Sequence, residues 1–147
     1  DAPLRKYLLP DGERRVKVVE STHPDAMRSV TLVKVKGVSA DLGLGVPGGS
    51  VSIGGSLLEV TIKTGRTHQI RVHLASSGHC IAGDDKYGDF EWTRSLVRAG
   101  AKRMFLHAWR LQVKHPVSGE ELTFLAPLPD DLKAMLISFD PGVLAGY

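Results

Sequence analysis

Thr64-Gly65-Arg66-Thr67-His68-Gln69-Ile70-Arg71-Val72-His73 is the stretch on which the reading of this chain turns. Before it, Leu58, Val60 and Ile62 alternate with Glu59, Thr61 and Lys63, the two-residue period of a half-buried strand. After Gly65 the period lengthens. Ile70 and Leu74 stand four apart, Thr67 is placed to cap, and Gly78 is placed to end a helix predicted over 67–77. A glycine turn thus joins a strand to a helix and carries two arginines, two histidines and a glutamine. If Thr67 opens the helix, the unbonded amides of the first turn favour an anion, and Arg66 adds a donor suited to phosphate. Arg71 lies beside the apolar Ile70 and Leu74, where an arginine implies a buried carboxylate partner. The plain alternative is two surface cations. His68 and His73 are five residues apart, about 140° around a helix, whereas zinc pairs use a same-face spacing of four, so no metal is expected. The default for both, and for His79 and His107, is a hydrogen-bonded structural histidine.

Working outward, Arg14–Val19 and Val30–Val35 also alternate as strands. Between the second of these and Leu58 lies 37–55, with seven glycines and Pro47, predicted as a long, mobile hairpin loop. Beyond Gly78, the run Ile81–Asp89 holds Asp84, Asp85 and Asp89 with Tyr87 between two glycines. Paired acids of this kind can hold Mg²⁺, but Asp beside Gly is foremost a turn former, and the structural role is preferred. Asp89 is placed to cap a helix carrying Trp92, Leu96 and Ala99. Phe105, His107, Trp109, Leu111 and Val113 alternate, Pro116–Gly119 turns, and Leu122 and Phe124 alternate again, which predicts a hairpin. Asp130 or Asp131 is predicted to cap a last helix with the face Leu132, Met135, Leu136 and Phe139, stopped by Asp140-Pro141-Gly142. Hairpins with interspersed helices imply an α+β domain, a mostly antiparallel mixed sheet flanked by short helices.

The 147 residues have room for one domain, and with 42% hydrophobic and 24% charged residues the chain fits neither a disordered tail nor a membrane protein. The single Cys80 leaves no intramolecular disulfide and no multi-cysteine zinc site, which suits a cytoplasmic home. A net charge of +3 is too small to argue for a polyanion partner. Its distribution says more: from Arg94 to Lys114 there are six basic residues and no acidic one, a pattern shared by nucleic-acid binders and solvated helix faces.

The block 64–73, followed in order by Gly83-Asp84, Tyr87-Gly88, Leu106-His107-Ala108 and His115-Pro116, resembles the C-terminal part of RluA-type pseudouridine synthases, with members acting on large-subunit ribosomal RNA the most similar. The resemblance implies an enzyme that isomerises uridine to pseudouridine: an aspartate nucleophile, cleavage of the N1–C1′ bond, rotation of the uracil and a new C5–C1′ bond, with no cofactor. It implies RNA, large-subunit ribosomal RNA, as partner, a flipped-out target base, and a cytoplasmic monomer with no membrane association. It places Arg71 in the active site, paired with the catalytic aspartate, and Arg66, His68, Gln69 and Leu106 in substrate binding. The family's His-Arg-Leu-Asp nucleophile motif occurs nowhere in these residues, nor does its active-site tyrosine segment, and His79-Cys80-Ile81 replaces the common His-Pro-Ile. Residues 1–147 are therefore expected to be the C-terminal portion of a single catalytic domain, inactive alone. Two rivals are a non-catalytic RNA-binding module on the same scaffold and a phosphate-binding metabolic enzyme using Gly65-Arg66.

Overall fold

The computed structural model describes residues 1–42, 54–98, 100–145 and 147. Strands β1 (Leu4–Leu8) and β2 (Arg14–Val18) form an antiparallel hairpin with Leu4 opposite Val18. β1 has no apolar period of its own. Its pairing to β2 and the burial of Leu4 against Val16 and Val72 make it a strand, which is why the alternation of β2 alone was legible. β3 (Thr31–Ser39) and β4 (Gly55–Ile62) form a longer antiparallel hairpin with a register shift between Val35 and Gly37. Both ends of the glycine-rich stretch predicted as loop, 37–39 and 55, are therefore strand, while 43–53 lies outside the described residues.

Helix α1 (Gln69–Ser76) follows, two residues shorter at its start than predicted. Thr67 does not cap it: the N-cap position is His68, with no side-chain cap bond. At the other end Gly78 takes φ 82 and its amide bonds to Ala75 O, the left-handed stop that the sequence predicts. Helix α2 (Phe90–Arg98) opens with Trp92 N–H donating to Asp89 Oδ1 at 2.7 Å. β5 (Arg110–Lys114) and β6 (Glu121–Leu125) make the third hairpin. The alternation from Phe105 to Trp109 does not become strand, because this segment follows other partners: Phe105 N–H bonds Ala82 O at 2.8 Å and His107 Nε2 bonds Ala126 O at 2.8 Å.

Helix α3 (Asp130–Ala134) is short, and Pro129 holds its N-cap position without a side-chain bond, so neither aspartate caps it as predicted. Leu132, Met135, Leu136 and Phe139 are nonetheless all buried, because tight turns with i to i+3 bonds carry the same face onward to Phe139. Asp140-Pro141-Gly142 stops that run and also starts another helix, α4 (Pro141–Leu144), with Asp140 Oδ1 accepting from Gly142 N–H at 2.7 Å.

The class is α+β and the strand pairing is antiparallel throughout, but the described strands form three separate two-stranded ribbons where the sequence predicts one mixed sheet. The larger core gathers Leu96 of α2 with Leu128, Leu132, Leu136 and Phe139. The smaller, Leu4, Val16 and Val72 with Tyr87 against them, fastens α1 onto the first hairpin and underlies the polar block 64–73. Among the described residues no helix is long and apolar enough to cross a membrane.

Candidate functional site

Gln69 organises the turn before α1. It is 3% exposed. Its Nε2 donates to Val30 O at 2.9 Å and Thr31 Oγ1 at 3.0 Å, and its Oε1 accepts from Thr64 Oγ1 at 2.7 Å and Arg66 N–H at 3.1 Å. An amide side chain has two donor hydrogens and two acceptor lone pairs, so every valence is spent inside the chain. The Arg66 amide is thus taken by this side chain. His68 is left at φ 52, the only non-glycine residue at positive φ among the described residues. Such a conformation costs on the order of 1 kcal/mol and needs surrounding contacts to hold it.

Those contacts come from Tyr87. Its hydroxyl accepts from Val16 N–H at 3.0 Å and lies 2.9 Å from His68 Nδ1, with the two rings edge to face at 5.5 Å. The Arg71 guanidinium sits 5.1 Å from the Tyr87 ring centre and that of Arg15 5.8 Å. Arg15 Nη1 donates to Lys86 O at 2.6 Å, and Lys86 Nζ donates to Arg14 O at 2.7 Å and pairs with Glu13. The Lys86 hydrogen bond, ahead of that from Arg15, holds the Glu13 carboxyl below its ordinary value.

The carboxylate that the structure places on Arg71 is Asp84, within the chain, where the resemblance implied one outside it. Arg71 Nε donates to Asp84 Oδ2 at 2.9 Å and Nη2 to Oδ1 at 2.6 Å, a bidentate pair with side chains 15% and 1% exposed. Asp84 Oδ1 also accepts from the amides of Lys86 at 3.0 Å and Tyr87 at 2.9 Å. Burial pushes the Asp84 carboxyl up, but the Arg71 hydrogen bonds and these two amides outweigh it, so it titrates below the ordinary aspartate value. Asp84 is thus the turn former that the sequence favoured, and the buried counter-ion of Arg71 as well.

His68 is held below its ordinary value, first by burial and then by the charges of Arg71 and Lys86, against the opposing pull of Asp84 and Glu13. It is therefore neutral at pH 7. With its oxygen accepting from Val16, the Tyr87 hydroxyl has its hydrogen to give to Nδ1, the arrangement in which the ring proton sits on Nε2. Nitrogen-15 NMR is expected to show the Nε2–H tautomer with a midpoint under about 6.5. The folded state binds its proton less readily than the unfolded chain, so this group's contribution to stability is complete above about pH 6.5 and falls as pH drops through the folded midpoint. In Tyr87→Phe the tautomer preference is expected to weaken.

His73 is structural as predicted, with Nδ1 2.8 Å from Thr31 Oγ1 and Nε2 2.8 Å from Ala2 O. Arg66 is exposed, its Nε 3.4 Å from Arg28 O. It rims, with Lys6 and Thr67, a cavity of about 90 Å³ floored by Leu4, Val16 and Met27. Leu106 is half-buried on the segment that leads to β5, next to Phe105, whose N–H bonds Ala82 O two residues before Asp84. The structure thus brings Arg66, His68, Gln69 and Arg71 together and leaves Leu106 on another segment. Tyr87, Arg15 and Lys86 complete the network without having been singled out as site residues. Their contacts to β2 and His68 span 19, 71 or 72 positions and leave no local pattern to find.

The fold is that of part of a pseudouridine synthase domain: the solved structure of human RNA pseudouridylate synthase domain containing 1 superposes with a TM-score of 0.66 at 24% identity, covering 91% of this chain and 50% of that one. No family model matches the chain. Among curated proteins it is 42% identical over 137 residues to ribosomal large subunit pseudouridine synthase C of Escherichia coli O157:H7, covering 92% of this chain and 38% of that protein. It is 38% identical over 135 residues to the protein of the same name from Haemophilus influenzae, covering 92% and 37%. These matches bear out the resemblance to the RluA-type pseudouridine synthases read from the sequence. The chain spans somewhat over a third of the length of the curated relatives it matches.

Proposed function

We propose that residues 1–147 are the C-terminal portion of a single catalytic domain of an RNA pseudouridine synthase, an isomerase that acts as a cytoplasmic monomer on uridines of large-subunit ribosomal RNA without a cofactor. The reading rests on the similarity above and on one observation in particular. The Arg71 guanidinium is clamped by Asp84 through Nε and Nη2 and backed by the Tyr87 ring, while Nη1 donates to none of the described residues. A charge held rigidly with one free edge suits a carboxylate arriving from the nucleophile segment, which it would keep ionised and aimed at C1′. The aspartate attacks as the N1–C1′ bond breaks. The detached uracil turns, C5 bonds to C1′ as the aspartate–C1′ bond breaks and frees the carboxylate, and C5 gives up its proton to water while N1 takes one, which completes the isomer.

In this reading Arg66, with Lys6 beside it, contacts RNA phosphates. His68 offers its Nε2–H to the substrate. Gln69 acts as a positioning residue that sets the 64–68 turn. Leu106 packs against the target base.

Release of tritium from large-subunit RNA labelled at uridine C5 tests the proposal. In protein carrying the nucleophile segment, Arg71→Lys, which preserves the charge opposite Asp84 but not the fork, is expected to lower the rate at least about 100-fold with an unchanged circular dichroism spectrum. The 147-residue chain alone is expected to release none. Turnover by that chain, or an unimpaired Arg71→Lys enzyme, would refute the assignment of the site. A longer protein that binds the RNA but never releases tritium would favour the non-catalytic module.

A further inference from the structure

The basic run from Arg94 to Lys114 takes no part in the site described, and α2 supplies its start. Leu96 and Trp92 turn one side of this helix into the larger core. Phe90, Arg94, Val97 and Arg98 fall at i, i+4, i+7 and i+8, on the opposite side. All four are exposed, Phe90 to 67% and Val97 to 59%. The Arg94 guanidinium lies 4.5 Å from the Phe90 ring centre, so the pair presents a flat π surface with a cation on it. Arg94 reaches Glu91 only at 3.7 Å, and among the described residues Arg98 and Lys102 form no ion pair. An aromatic ring left in water, on a helix whose other side packs well, invites an occupant.

We propose that this face of α2 is a second RNA-contact surface, on which an unpaired base stacks against Phe90 and Arg94 while Arg98 meets the neighbouring phosphates. The proposal rests on the reading that the chain acts on RNA. The chemistry selects the partner. The core of a protein interface is depleted in charge, whereas here two arginines interleave with two apolar side chains, the composition of a single-strand platform. Base faces are offered only where the strand is unpaired, which excludes duplex RNA as the preferred ligand.

The experiment is fluorescence anisotropy of protein carrying the nucleophile segment with a labelled 12-nucleotide oligouridylate, and with the same oligonucleotide annealed to its complement, across a salt series. Phe90→Leu is expected to weaken single-strand binding about fivefold or more, with the salt slope unchanged. Arg94→Gln combined with Arg98→Gln is expected to flatten the log–log slope by up to about 1.4, near 0.7 for each phosphate that the variant no longer neutralises. All three side chains are exposed, so thermal unfolding should not move.

If Arg66→Gln weakens binding and the α2 variants do not, this proposal fails while the RNA reading stands. If the unaltered protein binds no RNA at low salt, both fail. Equal losses on the duplex overturn the stacking role. So does capture by phosphatidylserine vesicles through Phe90 with no RNA binding, which would make the face a membrane contact.

Discussion

Asp84→Ala is expected to lower the unfolding free energy of the chain by about 3 kcal/mol, the lower end of the range for breaking a buried ion pair because Arg71 keeps some contact with water. The substitution strands a largely buried guanidinium and leaves two amides, those of Lys86 and Tyr87, without their acceptor. Against a total of roughly 5–15 kcal/mol for a domain this is a large fraction, readable as a lower urea midpoint. Asp84→Asn retains an acceptor for the amides and is expected to lose less.

The pH dependence follows from the depressed carboxyl. Below the unfolded value of about 4 the unfolded chain takes up a proton that folded Asp84 still refuses, so stability declines as pH falls toward the folded midpoint. In Asp84→Asn that part of the acid limb is expected to vanish, and the gap between the two proteins to narrow as pH falls below about 4. A stability difference independent of pH would mean that the pair contributes shape and not charge.

Gly88→Ala is expected to be the second severe change. Gly88 N–H bonds Asp84 O at 3.0 Å, and a methyl group at position 88 would overlap that same carbonyl. Backbone on backbone has nowhere to give, so the turn must open, with a loss of about 2–3 kcal/mol and displacement of Tyr87. The expected signature is a lower melting temperature together with loss of the fixed His68 tautomer, since Tyr87 carries both. Gly65→Ala is the contrast: nothing lies within 4 Å of an added methyl, and the change should stay within about 0.5 kcal/mol. A Gly88→Ala protein as stable as Gly65→Ala would refute the packing described for the 84–88 turn.

Periodicity carried the strand at Arg14–Val18, the part of β4 from Leu58 to Ile62 and the left-handed stop at Gly78, because each is decided by residues close in sequence. It failed at β1, whose strand character comes from its partner, and at 105–109, whose alternation is overridden by bonds to Ala82 and Ala126. At the candidate site the expectation of a buried carboxylate for Arg71 was sound, since a guanidinium near an apolar face cannot remain unpaired. Which carboxylate it meets was open until the chain folded, and so was the role of Gln69, a polar residue whose every bond turns inward.

The sequence alone determined the α+β class, the succession of strand, glycine turn and helix over 58–77 and the family resemblance, because these depend on local spacing and on the order of short motifs along the chain. Tertiary structure alone decided that Arg71 meets Asp84, that Tyr87 joins β2 to His68, and that Phe90 and Arg94 are left facing water. Each of these depends on where elements distant in sequence come to lie, and no local period encodes that.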